Sequence, residues 1–287
     1  MINIGIYYAY WTSDWDVDFN PFIDRTAGLG FDVLEVNAAT IARMTSEERQ
    51  RLKSHADDRG IALSYCLGLP REYDIASEGE AVRQKGIAFL RQIAQAIGEM
   101  GGGTLGGILY GCWPGSMPEG QTDRGGFVRR SIDSMKEAIV AAEDNNVTFC
   151  MEVVNRFEQF ILNTCEEALA YVDAVGSPSA KVMLDTFHMN IEEDLLGQAI
   201  QQAGDKLGHF HIGENNRRPP GYGHIPWTEV GSALREIGYQ GYAVLEPFLR
   251  PGGEVGRDIK VYRDLSRGMD LDQEARRALQ FVRGILK

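Results

Sequence analysis

Four short apolar runs each end in an acidic residue or a histidine: VTFCME at residues 147–152, KVMLD at 181–185, GHFH at 208–211 and YAVLE at 242–246. The four end residues, Glu152, Asp185, His211 and Glu246, are separated by 33, 26 and 35 residues. In a parallel α/β barrel, eight strand-and-helix units occupy about 250 residues, so one unit takes about 30. The spacing therefore predicts four consecutive parallel strands that bring these side chains to one rim.

The rest of the chain follows the same repeat of strand and helix. A capping-box pattern of Thr45 and Glu48 begins one helix, and the segment 272–286 predicts a C-terminal helix. Strand patterns begin at eight positions: Asn3, Asp32, Ile61, Thr104, Val147, Lys181, Gly208 and Tyr242. The alternation predicts an α/β protein, a single (β/α)8 TIM barrel over residues 1–287, with long rim loops at 113–124 and 215–227. An open doubly wound sheet is the alternative, but no G-x-G-x-x-G motif follows the first strand.

Composition narrows the possible partners. The formal net charge of −12 argues against binding to DNA or RNA, which requires a basic surface. No apolar run approaches the roughly 18 residues that cross a bilayer, and the first residues predict a strand, not a signal peptide. Four cysteines without C-x-x-C spacing indicate free thiols in a reducing compartment. We therefore expect a cytoplasmic protein with a small-molecule ligand and without nucleic-acid or membrane partners.

Three carboxylates and one imidazole on one rim suit a hard or borderline divalent cation. Several buried carboxylates are costly without a counter-charge, and Lys and Arg are scarce in the four runs. Because no thiolate joins the set, Mn²⁺, Co²⁺ or Mg²⁺ is favoured over structural zinc. A strand cap or an ordinary ion pair explains any one of the four residues equally well; their combination indicates a metal site.

Polar and aromatic residues in the loops after these strands are further candidates. His188 follows Asp185 by three residues, and a core histidine is its alternative interpretation. Arg217 and Arg218 in GENNRRPP are equally plausible, and a solvated loop arginine is the alternative interpretation. Glu158 in VVNRFEQF has an ordinary surface acid as its alternative. Aromatic residues near strand ends are typical of sugar sites and also of cores: Trp11, Trp15, Trp113 and Phe248.

Longer motifs now indicate a family. The segments EVVNRFEQ, MLDTFHMNIEE, GHFHIGENNR and LEPF, with GIYYAYW near the start and VYRDLS near the end, closely resemble the ketose 3-epimerase family. That family belongs to the xylose-isomerase-like barrels. The resemblance extends from the first strand to the final helix, and MLDTFHMNIEE is its most specific part.

The resemblance implies metal-dependent epimerisation of free ketoses at carbon 3, for example between D-fructose and D-psicose, D-tagatose and D-sorbose, or L-ribulose and L-xylulose. It implies that Glu152, Asp185, His211 and Glu246 bind the cation, Mn²⁺ first, and that Glu152 and Glu246 are also the acid/base pair. Glu158, His188 and Arg217 would contact the ketose near its first three oxygens. The remaining pocket positions are Tyr7, Trp15, Cys66, Leu67, Trp113 and Phe248. A homodimer or homotetramer is expected.

Two positions depart from the family pattern, and other functions compete. His224 in PGYGHIPW stands where relatives often have arginine, and Tyr7 replaces a phenylalanine of some relatives. An aldose–ketose isomerase is the nearest alternative function. An abasic-site endonuclease would need several zinc ions and many histidines, whereas this acidic chain has five. A sugar-binding protein without catalysis would have no need of both acid/base carboxylates.

Overall fold

The structure, a computed structural model, describes residues 2–287 and contains eight parallel strands that close into a barrel. Each strand pairs with the next one along the chain, and the last pairs with the first. The strands are β1 (Asn3–Tyr7), β2 (Val33–Asn37), β3 (Ala62–Leu69), β4 (Gly103–Cys112), β5 (Val147–Val153), β6 (Ala180–Asp185), β7 (Leu207–Ile212) and β8 (Tyr242–Leu245). All eight predicted strands are present, and the predicted α/β fold class, a (β/α)8 barrel, is confirmed.

Helices follow the strands and form the outer layer. Those of the described residues are α1 (Asn20–Leu29), α2 (Ala38–Arg43), α3 (Ser46–Asp58), α4 (Glu80–Glu99), α5 (Gly125–Asp144), α6 (Cys165–Val175), α7 (Thr186–Glu192), α8 (Leu196–Ala203), α9 (Trp227–Glu236), α10 (Gly253–Asp258) and α11 (Leu271–Leu286). Short 3₁₀ segments lie at Tyr8–Tyr10, Arg71–Tyr73 and Gly204–Lys206. Within residues 2–287, no helix combines the length and apolar character that a bilayer crossing demands.

Local sequence signals fix several helix ends. The Thr45 side chain accepts a hydrogen bond from the Glu48 backbone N–H, and the Glu48 side chain accepts one from the Thr45 backbone N–H, which confirms the predicted capping box of α3. Helix α6 ends at Gly176, whose φ of 76° lies in the left-handed region that glycine adopts without steric cost. The C-terminal helix α11 packs against α1 and α9, and so completes the outer layer next to the first strand.

The site residues lie at the carboxyl ends of four consecutive strands. Asp185 on β6 pairs with His211 on β7, and Glu246 directly follows β8. Glu152 lies one residue before the end of β5. Long loops leave this rim at residues 113–124 and 213–226, close to the predicted loops. The carboxyl ends of the strands therefore carry both the polar cluster and the loops that cover it.

Candidate active site

The structure brings Glu152, Asp185, His211 and Glu246 together at the carboxyl end of the barrel. Their ligand-type atoms, one from each side chain, all lie within 4.8 Å of one another. Asp185 and His211 have no exposed surface, and the two glutamates are buried as well. Strands β5, β6 and β7 and the residue directly after β8 supply one side chain each, on the rim that the spacing predicts.

The donor set fits a divalent cation. The Nδ1 atom of His211 lies 3.8 Å from Glu152 Oε1 and 3.5 Å from Glu246 Oε2, and it is buried without a hydrogen-bond partner. A buried ring nitrogen that faces carboxylates in this way is available as a ligand. Two glutamates, an aspartate and an imidazole, with no thiolate, suit Mn²⁺, Co²⁺ or Mg²⁺.

Arg217 supplies a counter-charge that the strand sequences lack. Its Nη1 atom donates hydrogen bonds to Asp185 Oδ2 at 2.8 Å and to Glu246 Oε2 at 2.7 Å. The backbone of Arg217 has a φ of 57°, in the left-handed region. Its guanidinium lies 3.9 Å above the ring of Phe187. Lys and Arg are scarce in the four strand runs, and the positive charge next to the cluster comes from the loop after β7.

Arg218, the equally plausible neighbour, points elsewhere. Its guanidinium lies 4.1 Å above the ring of Tyr222, and its residue does not line the cavity at the cluster. His224 is exposed and also lies outside that cavity; its backbone N–H donates to Asn215 Oδ1 at 3.0 Å. The loop therefore presents one of its two adjacent arginines to the cluster.

The pKa values of two carboxyl groups in the cluster are shifted in opposite directions. Burial, together with the charges of Glu246 and Asp185, raises the pKa of Glu152 well above its usual value, although His211 and Arg217 oppose the shift. Burial also acts to raise the pKa of Asp185, but Arg217, His188 and His211 lower it below the usual value. Buried carboxyl groups with perturbed pKa values are typical of functional sites.

His188 presents a ring N–H to the cluster. Its Nδ1 atom accepts a hydrogen bond of 3.2 Å from the backbone N–H of Asn155, so the neutral ring carries its proton on Nε2. That Nε2 atom lies 3.7 Å from Asp185 Oδ2 and 3.1 Å from Arg217 Nη2, which has no acceptor to offer. Burial lowers the pKa of His188, although Glu158 and Asp185 oppose the shift. The Nε2–H group of His188 therefore lacks a hydrogen-bond acceptor, and an oxygen atom of a bound ligand would fit as that acceptor.

Glu158 is part of the site and not a surface acid. Its carboxylate accepts hydrogen bonds of 3.0 Å from the Trp113 indole and from the Asn155 side chain. Burial acts to raise the pKa of Glu158. His188, Arg217 and these two hydrogen bonds lower it by more, so the pKa lies below the usual value. The group is therefore an ionised acceptor at the edge of the cavity.

A cavity opens directly above the cluster. It has a volume of about 60 Å³ and continues into an outer cavity of about 370 Å³, which shares with it Tyr7, Trp15, Leu67, Gly68 and Trp113. All six predicted pocket residues line the inner cavity: Tyr7, Trp15, Cys66, Leu67, Trp113 and Phe248. Gly68, Ile108 and Ile259 also line it and are absent from the predicted set. Trp11, by contrast, is core, with its indole bound to Asp272 at 3.0 Å.

A second polar layer beneath the cluster is missing from the predicted site. Glu35 on β2 lies in the barrel interior with His209 and His211 from β7. One signal exists in the sequence, because alternation puts His209 on the same side of its strand as His211. Glu35 has only the weaker signal of a charged residue within the apolar run DVLEV.

Comparisons with known proteins define the class of this barrel. Residues 23–283 match the family described as a xylose isomerase-like TIM barrel. The chain is 44% identical over 285 residues to the D-psicose 3-epimerase of Agrobacterium fabrum, covering 98% of each chain. A structure of D-psicose 3-epimerase with D-tagatose from Clostridium cellulolyticum has a TM-score of 0.96 and 43% identity, covering 100% of both chains. A structure of D-psicose 3-epimerase in the presence of D-fructose has a TM-score of 0.95 and 44% identity, covering 99% of both.

The fold and the family match thus place the chain among the xylose isomerase-like TIM barrels. Within them, the chain belongs to the ketose 3-epimerase family. Because its relatives are epimerases, it is an enzyme of the isomerase class, as the sequence predicts.

Proposed function

We propose that this chain is a metal-dependent 3-epimerase of free ketoses and that residues 1–287 form one catalytic domain. The observation that carries the proposal is the pair Glu152 and Glu246, two buried carboxyl groups that both line the cavity over the metal-type cluster. Relatives include D-psicose 3-epimerases, and solved structures of D-psicose 3-epimerase are described with D-tagatose and in the presence of D-fructose. Ketohexoses are therefore the substrates to test first, with L-ribulose and L-xylulose next.

Glu152, Asp185, His211 and Glu246 would hold the cation, with Mn²⁺ preferred over Co²⁺ and Mg²⁺. When bound, a divalent ion supplies Lewis-acid stabilisation of negative charge on the substrate oxygens, a contribution of several kcal/mol. The support for this assignment is the unpartnered Nδ1 atom of His211 among three carboxyl groups.

The two glutamates would perform the proton transfers. One carboxylate removes the proton from carbon 3, and the other, as a carboxylic acid, returns a proton to the opposite face of the same carbon. The reverse reaction exchanges the two roles, so both residues are needed in both directions. Proton transfer by a positioned side chain contributes roughly 10²–10⁴-fold in rate.

Other residues of the chain would bind and orient the ketose. The Nε2–H of His188 and the guanidinium of Arg217 would donate hydrogen bonds to the oxygen that gains charge at carbon 2. Glu158 would accept a hydrogen bond from a sugar hydroxyl. The aromatic wall of Tyr7, Trp15, Trp113 and Phe248 would pack on the C–H faces of the sugar, with the remote carbons in the outer cavity.

The expected homodimer or homotetramer and the cytoplasmic location stay predictions.

Isotope exchange tests the reaction directly. The manganese-loaded protein should convert D-fructose into D-psicose in D₂O, and the product should carry deuterium at carbon 3. Product analysis separates this activity from aldose–ketose isomerisation, which would yield D-glucose or D-mannose in place of D-psicose. An aldose product, or D-psicose free of deuterium at carbon 3, would overturn the proposal.

A further inference from the structure

Glu35 is an acidic residue in the interior of the barrel. Its side chain on β2 has no exposed surface. The interior layers of such barrels are mostly filled by Val, Ile and Leu, and a buried carboxylate is costly unless it is fully hydrogen-bonded. The position therefore calls for a reason other than packing.

The carboxylate of Glu35 is held by three donors. Oε1 accepts from His211 Nε2 at 2.5 Å, and Oε2 accepts from His209 Nε2 at 2.6 Å and from the Ser64 hydroxyl at 2.9 Å. Because a carboxylate only accepts, both imidazoles carry hydrogen on Nε2. For neutral His211 this leaves the lone pair on Nδ1, the atom that faces Glu152 and Glu246 without a hydrogen-bond partner.

We propose that Glu35 is a positioning residue that fixes the ring orientation and the Nδ1 lone pair of His211 for a divalent cation. The inference rests on the proposed function, because it assigns Glu35 a part in the same metal site. Carboxylates that accept the second ring N–H of a metal-binding histidine have this effect, and their loss typically costs 10–100-fold in metal affinity.

Glu35 does not form a second metal site with His209 and His211, although the three residues cluster closely. Ligand atoms that each lie about 2.0–2.2 Å from a common zinc-sized ion are separated by about 3 Å or more. The distances from the Glu35 oxygens to the two imidazole nitrogens are 2.5 and 2.6 Å, which are hydrogen bonds with no space for an ion between the atoms.

A double-mutant cycle tests the proposal. Mn²⁺ would be titrated calorimetrically into the metal-free full chain of the wild type, Glu35→Met, His211→Ala and the double variant. We expect Glu35→Met to weaken binding by about 10–100-fold in the wild-type background. In the His211→Ala background, the same substitution should have almost no further effect, because Glu35 acts through that ring. An equal loss in both backgrounds would show a general charge effect and overturn the proposal.

Ser64→Ala is the matched control, since it removes one donor to the same carboxylate and leaves the Glu35–His211 contact. Its Mn²⁺ affinity should equal that of the wild type, and a loss as large as that of Glu35→Met would contradict the positioning role. If the wild type itself binds no Mn²⁺, the proposed metal site fails as well. If the wild type binds and Glu35→Met binds equally, only the present inference fails.

A measurement on the wild type covers the case in which Glu35→Met does not fold. In the magnesium-loaded protein, long-range ¹⁵N–¹H correlations of the histidine rings should show His211 protonated on Nε2, with its signal assigned by its absence in His211→Ala. A proton on Nδ1 of His211 would rule out the proposed arrangement.

Discussion

Arg217 donates a hydrogen bond of 2.7 Å to Glu246, and the same Nη1 atom reaches Asp185 at 2.8 Å. One guanidinium therefore bridges two of the carboxyl groups proposed as metal ligands. Asp185, Glu246 and Arg217 are all buried. The position of the loop after β7 is thus tied to the charge of the cluster at the ends of β6 and β8.

We expect Arg217→Met to lower kcat by about 10²–10³-fold, since it removes a donor aimed at developing charge. It should also destabilise the metal-free protein by about 3–5 kcal/mol, because Asp185 and Glu246 lose a buried partner. Steady-state kinetics and urea unfolding measure the two effects. Arg218→Met is the control, because Arg218 lies over Tyr222 and away from the cluster. Similar losses in both variants would contradict the assignment of Arg217.

Glu152→Gln and Glu246→Gln test the acid/base pair. Each amide keeps the size of the side chain but cannot exchange a proton, so turnover should fall by at least 10²–10⁴-fold from either epimer. Circular dichroism should show a folded barrel in both variants. Glu236→Gln, on exposed α9 surface, is the matched control and should keep full activity. Near-normal turnover in either site variant would show that the carboxyl assignment is wrong.

Much of this site follows from local sequence patterns. Alternation within each strand and the spacing of about one barrel unit place Glu152, Asp185, His211 and Glu246 on one rim before any contact is known. Those signals are short-range: each strand reveals its own inward residues, and the repeat length reveals that the strands are neighbours.

The parts that sequence alone does not reveal depend on contacts across the barrel and on loop conformation. Glu35 contacts His209 and His211 from positions 174 and 176 residues away, and no repeat connects β2 with β7. The choice between Arg217 and Arg218 depends on one residue with a φ of 57°, which no propensity of arginine indicates. Tertiary packing determines both the register between distant strands and the sign of φ at a residue in a loop.

Metal removal should change stability as well as activity. A ligand that binds only the folded state adds about 2.7 kcal/mol to the free energy of unfolding at a free concentration 100 times its Kd. Dialysis against a chelator should therefore abolish turnover and lower Tm, and Mn²⁺ should restore both. Asp185→Asn is the comparison variant, since its Tm should respond much less to added Mn²⁺. Full activity at a metal content near zero would exclude the metal site.

Glu158 should contribute a pH-dependent part of the stability. Its pKa in the folded protein lies below the usual value, so its contribution is present above the unfolded pKa of about 4.3 and is lost as pH falls through the lower folded value. We expect the wild type to be more stable than Glu158→Gln at pH 7, with the difference shrinking as pH falls below about 4. Urea unfolding of the metal-free proteins across this range measures the difference. A difference that stays constant with pH would contradict the role of the ionised carboxylate.

Gly68 sets the position of Trp113, which lines both cavities. A Cβ atom added at Gly68 would lie 3.0 Å from Trp113 Cβ and 3.1 Å from its Cε3, so the Trp113 side chain has to give way by a few tenths of an ångström. Overpacking of this kind costs about 1–3 kcal/mol, and we expect Gly68→Ala to raise KM for the ketose by about tenfold with kcat nearly unchanged. Glu152 on β5 and Glu246 directly after β8, the proposed proton-transfer pair, should keep their positions.

Gly28→Ala is the matched control for that substitution. A Cβ atom at Gly28 on α1 meets no heavy atom within 4 Å, so its kinetics should equal those of the wild type. Helix propensity should even stabilise this variant by about 0.5–1 kcal/mol. A fall in kcat at constant KM in Gly68→Ala would show that Trp113 acts on the chemical step. An unchanged KM would show that the indole does not bound the space in which the ketose binds.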